Sequence, residues 1–416
     1  MADGGFAPPD RAQTGMVDHV SGPRTPQPRQ ENIVSMNRIA KIAALAALGT
    51  LSLTACNSGT PVTPGGSNSG ATDSATTSTS SSSSAGAALA CPGGELVGSG
   101  SSAQKSALQK MISLYTEKCA GTKIEYSSPG SGDGIKSFIA NQVDWAGTDS
   151  ALKTEAKEGE SKSEMEQAAE RCGAPAWNLP MVVGPVAFTY NLDGVTNLNL
   201  TAEVIANIFN GKVTKWNDAS IAALNSGATL PDQAISVFFR SKESGTTENM
   251  TKYLKAASNG AWTEDPSKAW KGKVGEGKPE TADVADAVKN TAGGFSYVEW
   301  GAAQERSLGV ATLDGAELSA EAVGKAIEAA EVVGKDNDLT LSLKYDGLPD
   351  GAYPAILVTY EAVCSKGLDA GKSALLKDFL GFFASEEGQG ELEDIGYAPL
   401  PASMITKVEA SIAALQ

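Results

Sequence analysis

The stretch ELVGSGSSAQKSALQKMISLY, residues 95–115, reads as a strand, a small-residue turn and a helix in immediate succession. Glu95–Val97 is a short apolar run of strand type. Leu108, Met111, Ile112 and Tyr115 then recur at i, i+3, i+4 and i+7, the spacing of one helical face. The same alternation continues along the chain. Lys123–Tyr126, Ala234–Phe239 and Ala355–Val363 read as strands, and Ile135, Phe138 and Ile139, then Met250, Tyr253 and Leu254, as helical faces. Strands alternating with helices, without an internal repeat, predict an α/β architecture.

Between strand and helix lie three junctions of one kind. They are Gly98–Ala103 (GSGSSA), Ser128–Gly134 (SPGSGDG) and Arg240–Thr246 (RSKESGT). They precede helices expected to begin near Gln104, before Ile135 and ahead of Met250. Unpaired N–H groups at a helix start, with the helix dipole, favour an anion. Glycine permits close backbone approach, and hydroxyls add donors without charge. Ser and Thr cap helices everywhere, so one such junction says little; three, one of them carrying an arginine, point to an anion site. None ends in GK[ST], and no GxGxxG opens a βαβ unit.

The 416 residues suggest a two-domain body. The net charge of -16 and the lack of any Lys/Arg run argue against a nucleic-acid partner. They do not argue against a small anion held by local dipoles. The single histidine, His19, lies outside the expected folded body. Histidine-based acid–base or nucleophilic catalysis and histidine-ligated metals are thereby disfavoured, and neither enzyme, cofactor nor metal is expected.

Met36–Cys56, MNRIAKIAALAALGTLSLTAC, has a short basic start, an apolar run too short to span a bilayer comfortably, and small residues before Cys56. Residues 1–35 read as an extension upstream of the true start, 36–55 as a lipoprotein signal peptide, and 56–90 as a Ser/Thr/Gly/Ala tether. Leu53–Cys56 resembles a bacterial lipobox, which implies lipid on Cys56 and an outward-facing membrane anchor. The other four cysteines lack metal-binding spacing. An even number in an exported protein suggests two disulfides, and Cys91–Cys119 with Cys172–Cys364 is the expected pairing.

The first two junctions, then NIFNGKVTKWND (207–218), the third junction, GGFSYVEW (293–300) and GYAPLP (396–401), in that order, resemble the phosphate-binding protein of the bacterial ABC phosphate importer, the PstS family. The likeness runs over about 95–405. It implies a two-lobed periplasmic-binding-protein fold with a ligand cleft between the lobes. Residues 91–185 and 345–416 would form lobe I, and 186–344 lobe II. It also implies inorganic phosphate as ligand and, as partners, the permease subunits and cytoplasmic ATPase of an ABC importer.

Carried over position by position, the resemblance assigns phosphate contacts to Ser102, Ala103 (through its N–H), Ser131, Asp149, Arg240, Ser244, Gly245 and Thr246. Arg240 would pair with the anion. Asp149 would accept the proton that phosphate still carries near neutral pH. Sulfate has none and meets repulsion, whereas arsenate is protonated and passes the same test. Receptors for those oxyanions, or a phosphate sensor on the same fold, are the alternative readings. The chain departs from the family at Lys242, where an arginine-bracing Asp is common. Glu243 is a candidate for that role instead. It departs again at Pro279-Glu280-Thr281, in place of a GND-like turn.

Overall fold

The computed structural model describes residues 88–416. The proposed leader, the lipidation site Cys56 and all of the tether before residue 88 lie outside these residues. In chain order the body begins with β1 (Gly94–Gly100), α1 (Lys105–Lys118), β2 (Thr122–Ser127), α2 (Ser131–Ile139), β3 (Trp145–Thr148), α3 (Glu164–Cys172) and β4 (Ala176–Tyr190). It continues through β5 (Asn199–Leu200), α4 (Ala202–Phe209), α5 (Ala219–Leu224), β6 (Ser236–Arg240), α6 (Gly245–Ala257), β7 (Glu276–Lys278), α7 (Thr281–Lys289), β8 (Gly294–Glu299) and α8 (Trp300–Glu305). Next come β9 (Gly309–Val310), β10 (Thr312–Leu313), α9 (Ala320–Glu328), β11 (Glu331–Val332) and β12 (Leu341–Ser342). β13 (Ile356–Cys364), α10 (Ala370–Ala384), α11 (Glu386–Gly390) and α12 (Ala402–Ala413) complete it.

One sheet runs through both halves in the order β2-β1-β3-β13-β4-β8-β6-β7, with β9 also on β4. β1 is parallel to β2 and β3, while β13 is antiparallel to β3 and β4. β4 has 15 residues, about 50 Å of extended chain at the usual rise. Its Ala176–Pro185 part pairs with β13, and its Val186–Tyr190 part pairs with β8. A single strand therefore serves two sub-sheets, and the fold is a mixed α/β body of two lobes.

Strand–turn–helix units place the starts of α1, α2 and α6 just beyond the ends of β1, β2 and β6. The apolar face read for α1 is buried through Leu108, Met111 and Tyr115, against Phe379 and Phe382 of α10. In the other half Phe188, Phe209, Phe295 and Tyr253 form an aromatic cluster. The second helix starts at Ser131, one turn ahead of the expected start at Ile135. Gly130 at φ 126° ends the extended chain there, so the helix begins in mid-junction and puts Ser131 in its first turn.

Cys91 is bonded to Cys119, and Cys172 to Cys364. The first bond joins the chain's entry into the body to the end of α1. The second joins the end of α3 to the end of β13. Asp378 accepts from the N–H groups of Ala90 and Cys91 at 2.9 and 3.0 Å. Among the described residues no helix is long and apolar enough to cross a membrane.

Candidate functional site

The ends of β1, β3 and β6 and the starts of α2, α6 and α7 converge on one buried cluster. Its centre holds two opposite charges, Asp149 and Arg240, each 2% exposed. Asp149 follows β3. Its Oδ1 accepts from Ser101 Oγ at 2.6 Å and Thr359 Oγ1 at 3.4 Å. Its Oδ2 accepts from Ser131 Oγ at 3.3 Å and Thr246 Oγ1 at 3.4 Å. Burial pushes this carboxyl above its ordinary range, and Ser101, Arg240, Ser131 and Thr359 only partly offset that.

Arg240 ends β6. Its Nε donates to the Pro279 carbonyl at 2.9 Å. Its Nη1 donates to Ser102 Oγ at 2.7 Å, and to Ser244 Oγ and Thr281 Oγ1 at 3.3 Å each. Nη2 is buried and has no hydrogen-bond partner among the described residues. Burial lowers the pKa of the guanidinium from its ordinary value, but an arginine stays charged in a protein. A charged donor with a free N–H in a water-excluded cluster is suited to an anion.

The structure brings together all eight residues assigned from the sequence. Ser244 caps α6, accepting from Thr247 N at 3.4 Å. Gly245 N donates to Ser131 Oγ at 3.3 Å, joining the starts of α6 and α2. A Cβ on Gly245 would lie 2.7 Å from Asp149 Cβ and 2.8 Å from Ser131 Oγ, so only glycine fits there. Gly130, besides its positive φ, comes within range of Glu243 O; a Cβ there would lie 2.8 Å from that oxygen. Ala103 is placed differently from the other seven. Its N–H already donates to Ser101 Oγ at 3.0 Å, and its carbonyl accepts from Tyr397 OH at 2.5 Å.

Glu243 does not brace Arg240. Its carboxylate pairs with Lys136 on α2, and burial of Glu243 is outweighed by Lys136 together with Lys157 and Lys268. Lys242 is exposed.

Several site residues were not assigned from the sequence. Ser101 stood inside the first junction beside Ser102. Thr281 stood in the turn noted only as a departure. Tyr297, within GGFSYVEW, shares a hydrogen bond with Thr247 Oγ1 at 2.7 Å and accepts from Arg240 N at 3.4 Å. Trp270 stacks on Tyr297 and Phe239, with centroids 5.9 and 4.8 Å apart and planes tilted by 13° and 6°. Thr359 carries no local signal, since it is one hydroxyl in a buried strand.

A second set of charges borders this cluster. Lys268 Nζ lies 3.2 Å from both carboxylate oxygens of Glu164, which Lys157 also approaches at 3.2 Å. Glu248 pairs with Lys153 and, at 3.1 Å, with Lys252.

The model of the PBP superfamily domain matches residues 68–387. Phosphate-binding protein PstS 3 of Mycobacterium tuberculosis is 39% identical over 391 residues, which is 92% of this chain and 100% of that protein. Phosphate-binding protein PstS 2 of the same species is 40% identical over 372 residues, 87% of this chain and 95% of that one. Among solved structures, a phosphate-binding protein from Stenotrophomonas maltophilia superposes with a TM-score of 0.59 at 19% identity, over 76% of this chain and 93% of that one, a likeness of fold. Sequence identity over nearly the whole chain and the shared two-lobed fold lead to one assignment: the chain belongs to the PstS family of phosphate-binding proteins, within the PBP superfamily.

Proposed function

We propose that this chain is an extracytoplasmic receptor that captures inorganic phosphate between its lobes and hands it to the permease of an ABC-type importer driven by a cytoplasmic ATPase. The observation that carries the reading is Arg240, buried, held among the described residues only by neutral groups and with Nη2 unpartnered there, beside the buried carboxyl of Asp149. Arg240 supplies the charge-assisted donor, and the starts of α2 and α6 supply hydroxyls and N–H groups. Asp149 accepts the proton of the bound anion, which sulfate cannot offer. The names of the relatives agree with this ligand.

The protein is a binding receptor and not an enzyme, so its cycle is capture, closure and release. In this reading 91–185 and 345–416 form lobe I and 186–344 lobe II. Phosphate fixes the closed arrangement through groups from both. Lipid on Cys56, left after removal of 36–55, holds the body to the outer membrane face, and 56–90 is its tether.

The test is calorimetric titration of the mature chain, unfolded, dialysed free of phosphate and refolded. Phosphate is expected to bind tightly and sulfate at least about a hundredfold more weakly, a gap of about 2.7 kcal/mol. Absence of phosphate binding, or equal affinity for the two anions, overturns the reading.

A further inference from the structure

Thr281 opens α7 and belongs to none of the three Ser- and Gly-rich junctions. Its Oγ1 lies 3.0 Å from Ser102 Oγ and 3.3 Å from Arg240 Nη1, and its N–H donates to Ser102 Oγ at 3.2 Å. Two residues earlier the Pro279 carbonyl takes Arg240 Nε. One turn therefore holds two edges of the guanidinium, with a carbonyl and a hydroxyl. The acids of that turn are directed elsewhere. Glu280 lies 3.7 Å from Lys105, and Asp283 accepts from the Glu280 N–H at 3.1 Å. A carboxylate in this place would form a competing ion pair with the arginine. Neutral acceptors fix its plane and leave its charge undivided.

We propose that Thr281 is a positioning residue for anion capture. With the Pro279 carbonyl it sets the plane of Arg240 so that Nη2 faces the anion, and through Ser102 it ties the start of α7 to the end of β1 when the lobes meet. The proposal rests on the phosphate reading above.

The experiment is a mutant cycle in calorimetric titrations of stripped, refolded mature chain with inorganic phosphate, using T281V, T281S, R240A and R240A/T281V. Valine keeps the shape and removes the hydroxyl. T281V is expected to weaken phosphate by about tenfold, and T281S to recover most of that loss. In the R240A background T281V is expected to cost less than about twofold, because the hydroxyl acts through the guanidinium. Melting curves of the ligand-free proteins are expected to coincide, which separates positioning from folding. T281V at wild-type affinity, T281S as weak as T281V, or a full tenfold loss on top of R240A each overturns the proposal. If T281V melts early, the serine variant and the cycle still decide it. Wild type that binds no phosphate overturns the phosphate reading and this proposal together, whereas wild type that binds beside an unaffected T281V overturns this proposal alone.

Discussion

Two neighbouring regions of the molecule bury charge in opposite ways. Around Glu164 and Glu248 every buried charge faces an opposite one. Lys268 and Lys157 meet Glu164, and Lys153 and Lys252 meet Glu248. Around Asp149 and Arg240 the partners are hydroxyls and carbonyls, and among the described residues neither group is within ion-pair distance of an opposite charge. The carboxyls respond accordingly. Burial would raise all three, yet Lys252, Lys153 and Lys268 bring Glu248 down to about 2, and Lys268, the Lys153 N–H and Lys157 hold Glu164 below its ordinary value. Of these three, Asp149 is the one that ends above its ordinary value. The first region spends its charges on itself and so fastens the two halves. The second leaves its charges facing neutral groups, and in the proposed phosphate reading the anion completes it.

The contrast breaks most visibly at Arg240. Arg240→Ala removes the unpaired cation, and phosphate affinity is expected to fall by at least about thirtyfold, roughly 2 kcal/mol or more for a desolvated charged contact. Unchanged titration curves would place the anion elsewhere. Next is Lys268→Met, which leaves Glu164 with Lys157 and the Lys153 N–H. Stability is expected to drop by about 2 kcal/mol, below the roughly 3–5 kcal/mol for a buried ion left alone. Phosphate affinity should fall only severalfold, with the phosphate-to-sulfate ratio kept. A change in that ratio would mean the ion pairs also select the ligand.

Asp149→Asn sharpens the comparison through pH. A carboxyl with a raised folded value loses its proton first in the unfolded chain. Its contribution to stability therefore declines as pH rises from about 3.8 through the raised value. Asparagine abolishes that decline, so the stripped variant is expected to melt about 1–3 °C higher than wild type at pH 7 while discriminating less against sulfate. Glu248 has the opposite sign. Its depressed value stabilises the fold fully above about 4.5, and the contribution is lost as pH falls toward about 2. Glu248→Gln is expected to flatten that acid limb in pH-dependent melting, and an unchanged limb would remove the ion pairs from acid stability. The smallest effect is assigned to Lys242→Asp. An exposed charge is screened by salt, and affinity is expected to move by less than about threefold at 0.15 M ionic strength. A larger loss would show that Lys242 raises the potential at the site.

How legible each region was in the sequence follows from where its signal lies. The junctions at Ser102, Ser131 and Ser244 are local. Glycine and hydroxyl residues next to an apolar period mark a helix start within a few positions, and the structure gathers those starts into one cluster. The start of α2 was read one turn late because glycines at 132 and 134 look like loop, although Gly130 alone makes the turn. Thr281 was not assigned because its helix follows Pro279 and Glu280, without the small-residue signature. The ion-pair region left no local trace. Glu164 and Lys268 are 104 positions apart, and each looks like an ordinary surface charge until folding buries both. Thr359 is hidden for the same reason, meeting Asp149 from 210 positions away.

The stack of Trp270 on Tyr297 has a practical consequence. The Tyr297 hydroxyl receives the backbone N–H of Arg240, and the indole lies nearly parallel to the phenol ring. An indole's emission responds to the electric field and to the packing around it. A charge arriving at the guanidinium is thus two contacts away from a natural fluorophore. Trp270 emission is therefore expected to change when phosphate is titrated into the stripped protein, and replacing Trp270 by phenylalanine is expected to remove that change while leaving the proposed phosphate contacts in place.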